Sequence, residues 1–193
     1  MSVWVVAGLF VVEDFVDGER VGGVVKIDSD SNDLFTTWIL RVFYAMFAYA
    51  GARGDVSFSA LDDTGTMRSF RLKGNFYIDS SHVFNTYACV HGVRVRYGTS
   101  STPASRTDYR LLQEIYVDSN PRLVIDEGRG FVMVESVVIF GSDTTVCEVG
   151  LSLSATVASV EICGDILLDR TVFSPCRSIP AGTPYTVRYR VQL

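Results

Sequence analysis

The chain has 193 residues, 48% of them hydrophobic and 12% aromatic, with a net charge of −5 and a mean hydropathy of +0.24. That length suffices for one sizeable core or two small subdomains. With no block of like charge, and 22 acidic residues against 15 Arg and 2 Lys, nothing in the bulk electrostatics attracts a phosphate backbone, and no direct nucleic-acid binding is expected.

Runs rich in Val, Ile, Phe and Tyr alternate with Gly, Ser, Asp and Thr clusters every 8 to 12 residues, which predicts a mainly β fold, an antiparallel β-sandwich. Residues 3–12 and 20–27 read as strands joined by the turn Asp17-Gly18-Glu19, with Gly22-Gly23 marking a bend or bulge. Met1 to Val12 lacks a basic leading region, and Glu13-Asp14 interrupts the run before any small-residue cleavage site, so a strand is expected there rather than a signal peptide.

Ser29-Asp30-Ser31-Asn32-Asp33 is a cluster of helix-capping residues, and the proline-free run to Gly51 predicts one apolar helix near residues 33–51. Leu34, Trp38, Val42, Ala45 and Tyr49 make one face; Phe35, Ile39, Phe43, Met46, Phe47 and Ala50 make another. A helix apolar nearly all round must be covered on all sides. It would be a core helix, a helix shared between its own β-domain and a neighbouring subunit, or a membrane span. The span is disfavoured by a length of about 17 residues, by Arg41 at mid-run and by the missing positive flank. The shared reading makes Leu34, Phe35, Trp38, Ile39, Val42, Phe43, Met46 and Phe47 the candidate assembly interface. It also divides the chain into N-terminal strands and assembly helix (1–54) and a β-sandwich domain (55–193).

Residues 55–63 and 66–79 form the next strand pair around the turn Asp62-Asp63-Thr64-Gly65. Strand-like stretches follow at 83–97, 121–125, 130–140, 145–153 and 166–173, with 108–116 either a short helical turn or a strand. Val132, Val134, Val137, Val138 and Ile139 are the most apolar of these and read as the sandwich centre. Pro180-Ala181-Gly182-Thr183-Pro184 is a turn, and Val187, Tyr189, Val191 and Leu193 alternate with Arg188, Arg190 and Gln192 in a final strand.

Little here points to chemistry. His82 and His91, the two histidines, stand in no ligand or nucleophile–base spacing, and no G-x-S-x-G elbow occurs. Cys89, Cys147, Cys163 and Cys176 are scattered without metal-site spacing, which leaves buried thiols or one or two disulfides. The carboxylates Asp62-Asp63, Asp126-Glu127, Glu135, Glu148, Glu161, Asp165 and Asp169 are candidates for a paired-carboxyl site, but the first two pairs adjoin turn glycines, where acidic residues are expected anyway. Glu148 and Arg170 are charges set in apolar strands, either a buried pair or two solvent-facing edge residues. No enzyme activity, metal or cofactor is expected.

Four segments carry a resemblance: Tyr97-Gly98-Thr99-Ser100-Ser101-Thr102-Pro103, Asp108-Tyr109-Arg110-Leu111-Leu112, Glu148-Val149-Gly150-Leu151, and Leu168-Asp169-Arg170-Thr171-Val172-Phe173 followed by Ile179-Pro180-Ala181-Gly182 and Thr186-Val187-Arg188-Tyr189. Over roughly the C-terminal half the chain resembles structural virion proteins of tailed phages and archaeal viruses: capsid, decoration or tail components. The resemblance implies a jelly-roll-like sandwich and a virion location. It also implies self-assembly into trimers or larger homo-oligomers, with other virion proteins as further partners. The rival is a carbohydrate- or receptor-binding sandwich such as a fibre tip; Trp4 and Trp38, the two tryptophans, lie in no loop suited to a sugar platform.

Overall fold

The computed structural model describes residues 9–26, 56–72, 92–126, 131–157 and 163–192. Among these residues there are eleven strands and no helix; the helix expected near 33–51, its eight interface residues and the 54/55 boundary all lie outside them. The strands are β1 (Leu9–Val16), β2 (Glu19–Lys26), β3 (Val56–Leu61), β4 (Met67–Leu72), β5 (Gly92–Gly98), β6 (Glu114–Asp118), β7 (Arg122–Asp126), β8 (Phe131–Ile139), β9 (Thr144–Val157), β10 (Cys163–Ile179) and β11 (Pro184–Gln192). One sheet runs β2-β1-β11-β8-β7; the other runs β3-β4-β9-β5-β6, with β10 also pairing β9. Every pairing is antiparallel.

Both sheets feed one apolar cluster. Val12, Val138, Tyr185, Val187 and Tyr189 enter it from the first sheet, and Val95, Tyr97, Val146, Val149, Leu151, Phe173 and Ile179 from the second. Period-two alternation explains the choice: Tyr185, Val187 and Tyr189 are buried while Thr186, Arg188 and Arg190 between them are half-buried. Tyr97 sits at the centre, its ring 6.0 Å from Tyr185 and 6.3 Å from Phe140 in edge-on contacts. Its hydroxyl donates to Ser136 Oγ at 2.6 Å, and Ser136 donates on to Asp118 Oδ2 at 2.6 Å, so the buried phenol is satisfied. Burial pushes the Tyr97 and Tyr185 phenols well above their ordinary pKa and keeps them neutral.

Turn chemistry sets the register. Asp17 (φ 50°) and Gly18 (φ 79°) make the two-residue hairpin between β1 and β2. The expected irregularity in β2 is a bulge: Asp14 pairs with Gly22 but Phe15 with Arg20, leaving Val21 extra. Glu13-Asp14 does not end the first strand, contrary to the sequence reading, because Asp14 points inward and finds Arg177, whose Nε donates to its Oδ2 at 2.5 Å. A side chain at Gly22 would place its Cβ 2.5 Å from Asp14 Oδ1, so the glycine is what lets that carboxylate pack against β2.

A second correction concerns β8. It lies next to the sheet edge: Val134, Ser136 and Val138 turn inward, Val137 and Ile139 on the other face are 56% and 61% exposed, and Val132, on the inward side, is still 42% exposed. A continuous apolar run carries no parity information, so its outward half is indistinguishable from core in sequence.

The long β10 is interrupted where Val172 pairs with Glu148 and Arg177 with Val146, so that residues 173–176 stand opposite Cys147 alone. Phe173 drops from this bulge into the core, and Cys176 is disulfide-bonded to Cys147. Of the cysteine alternatives, this pair is a disulfide.

Candidate functional site

On β5, Val95 and Tyr97 face the core, so Arg94 and Arg96 between and beside them project from the opposite side of the sheet. Sequence alternation alone reads such arginines as solvated. Instead, Arg96 is buried, and groups from β6, β9, β10 and the β3–β4 turn surround it. Its Nε donates to Ser152 Oγ at 2.9 Å, Nη1 to Glu114 Oε2 at 2.6 Å and Nη2 to Asp165 Oδ2; Asp63 Oδ2 lies 3.8 Å away. Arg94 reaches the same Asp165 oxygen at 2.8 Å. Burial works against the Arg96 charge, but Glu114, Asp165 and Asp63 outweigh it and its pKa is raised. Asp63 is pushed up, chiefly by burial, against the pull of Arg96.

Above Arg96 opens a cleft of about 300 Å³ lined by Asp63, Arg96, Arg110, Leu111, Leu112 and Glu114. One wall is the β3–β4 turn, built by Asp62. Its Oδ1 accepts from Thr64 N at 3.0 Å, Thr64 Oγ1 at 2.5 Å and Thr66 N at 2.8 Å, and its Oδ2 accepts from Arg68 Nε at 3.1 Å. Gly65 (φ 78°) completes the turn beneath the Tyr109 ring. Burial of Asp62 works against its charge, but these hydrogen bonds prevail and hold its pKa below the ordinary 3.8. A carboxylate so lowered contributes stability above its unfolded pKa and loses it as pH falls through the folded value. Asp62→Ala is therefore expected to cost about 2 kcal/mol at pH 7, with the penalty shrinking below pH 3.8; urea unfolding at both pH values measures it.

The opposite wall is the loop 99–113, held by a buried latch. Arg170 and Glu148 have side chains 1% and 0% exposed and meet at 2.6 Å through Nε and Oε2. The remaining Arg170 nitrogens donate to Asp108 Oδ2 at 3.0 Å, Pro103 O at 3.2 Å and Thr102 O at 3.0 Å. Glu148 in turn accepts from Leu112 N at 3.3 Å and Gln113 N at 2.9 Å. A Cβ on Gly98 would stand 2.5 Å from Glu148 Oε1 and 2.8 Å from Gln113 O, so only glycine leaves room for this latch. Of the two alternatives for Glu148 and Arg170, the buried pair is the one formed.

No family model, no curated protein and no solved structure matches this chain. Segments far apart in sequence converge in the latch: Thr102 and Pro103, Asp108, Glu148 and Arg170 all belong to the runs singled out above. The other carboxylates do not gather. Asp63 and Asp165 flank Arg96, Glu135 pairs with Arg188 at 2.7 Å on the first sheet, Asp169 is buried beside Thr171, and Asp126 ends β7. Glu127, Glu161, His82, His91, Trp4 and Trp38 lie outside the described residues. Arg96 and the Asp14–Arg177 pair were not legible as buried charges, since an Arg in an alternating strand and an acid beside a turn are both ordinary surface features. The Arg96 nitrogens are committed to Ser152, Glu114 and Asp165, which ties β5 to β6, β9 and β10.

Proposed function

We propose that this protein is a structural component of a virus particle, a jelly-roll-like β-sandwich that assembles with copies of itself and with other virion proteins. The observation that carries assembly is a set of exposed apolar side chains on β6, β7 and the neighbouring β8. There Ile115 and Tyr116 are each 43% exposed, Leu123 64% and Val132 42%, beside edge strands of both sheets. Exposed apolar residues on sheet edges are a liability for a lone domain and a resource for an assembling one. The resemblance in residues 97–112 and 148–189 supplies the virion setting. The two sheets around one core suit a sandwich, and the latch and turns hold its surface rigid, as repeated contacts between subunits require.

The rival reading as a carbohydrate- or receptor-binding module draws on the cleft above Arg96, where Asp63 and Arg110 offer polar groups at the rim. Light scattering of the full chain after size exclusion separates the two. A multimer across micromolar concentrations is the expected result; a monomer throughout overturns assembly and transfers the case to the cleft.

A further inference from the structure

We infer that β7 is a self-pairing edge: two copies of this chain join antiparallel through Arg122–Asp126 about a two-fold axis at Val124, which merges their first sheets into one. The inference rests on the assembly reading above and names the surface it uses. Among the described residues β7 pairs with β8 alone and closes its sheet.

Among the described residues five strands have one unpaired edge; β10 is one of them and turns its Arg170 into the latch, and the other four, β2, β3, β6 and β7, differ in what they would do on meeting a copy of themselves. An antiparallel strand centred on its own middle residue places its first residue opposite its last. For β7 this sets Arg122 opposite Asp126 twice, by symmetry, with apolar residues between. For β6, Glu114–Asp118, the same operation sets Glu114 opposite Asp118, a like-charge pair on each side of the axis. At β2, the bulge at Val21, the pair Gly22-Gly23 and the charges of Glu19, Arg20 and Lys26 are the features that blunt an edge against pairing. β3 ends at the Asp62 turn and carries the serines 57 and 59, with no charge to fix a register. Of these four, β7 alone is self-complementary in both charge and apolarity. Arg122 is 75% exposed with a loose 3.8 Å approach to Glu135, and Leu123 is 64% exposed, so both side chains are available to a second copy. Leu123 stands on the same side of its sheet as Val134, and the merged sheet would bring it against the neighbouring copy's strand.

The test is sedimentation equilibrium of the full chain as wild type, Arg122→Asp, Asp126→Arg and the exchanged double variant. Each single variant places like charges opposite one another at both ends of the pairing, and is expected to weaken association about tenfold or more. The exchange restores attraction and is expected to recover wild-type association to within roughly threefold. Thermal unfolding reports that each variant is folded, and Leu123→Lys, at an exposed site, gives an independent loss should a charge variant fail to fold. A multimeric wild type indifferent to the single variants and to Leu123→Lys overturns the β7 edge and leaves assembly standing. A folded exchange variant that stays as weak as the singles also overturns it. A wild type that is monomeric throughout overturns the assembly reading itself.

Discussion

Arg170→Met is expected to lower the free energy of unfolding by about 3–5 kcal/mol, the cost of leaving one partner of a buried ion pair without the other. The reason lies in what Glu148 would face. With Arg170 gone, a carboxylate that is 0% exposed keeps the amides of Leu112 and Gln113 but loses its counter-charge, while the carbonyls of Thr102 and Pro103 and the Asp108 carboxylate each lose a donor. Methionine fills much of the arginine volume, so the loss reports the charge rather than a cavity. Glu148→Gln in the same chain removes the orphan charge and should recover about 1 kcal/mol or more. Urea unfolding measures both, and amide exchange at Leu112 and Gln113 should quicken in Arg170→Met, since the loop 99–113 loses its anchor. A loss below about 1 kcal/mol would mean that the loop holds its place without the latch.

Removing the disulfide is the second large effect. Cys147→Ala with Cys176→Ala opens a link between residues 29 apart, and chain entropy alone assigns it about 3–4 kcal/mol. The link also pins residues 173–176, the stretch of β10 that stands away from β9 and delivers Phe173 to the core. Thermal unfolding of the wild type with and without reductant, beside the double variant, checks this. In reductant the wild type and the variant should unfold at the same temperature, below that of the oxidised wild type. Equal unfolding temperatures in all cases would show that the bulge is held by packing alone.

The choice of arginine over lysine also has a structural reading. Arg170 uses its fork on a carboxylate, a second carboxylate and two carbonyls; Arg96 spans Ser152, Glu114 and Asp165; Arg188 bonds Glu135 while its guanidinium stacks 4.4 Å from the Phe15 ring centroid. A lysine offers a point charge where each of these sites uses a planar, multidentate group.

Much of the strand content of the described residues was readable because it depends on local facts. Period-two alternation put Val187 and Tyr189 on one face, the one that is buried, and the turn residues at Asp17-Gly18, Asp62 to Gly65 and Pro180 to Thr183 marked where strands end. Even the irregularity in β2 was announced by Gly22-Gly23, since a glycine pair has no side chain to hold a strand straight. The sequence could also name Glu148 and Arg170 as charges out of place, though not which way they faced.

What it could not contain is which segments meet. Arg96 is held in a buried site by Glu114, Ser152 and Asp165 from three other strands; Asp14 continues a strand because Arg177, 163 residues away, supplies its partner. Val132 and Val137 of β8 are 42% and 56% exposed in a strand that lies beside an edge, and strand order is not written in any single strand. Local propensity and alternation fix how each segment would sit on a sheet. Burial, charge pairing and the self-complementary edge at β7 arise only when the sheets are ordered against one another, because each depends on the neighbour rather than on the residue.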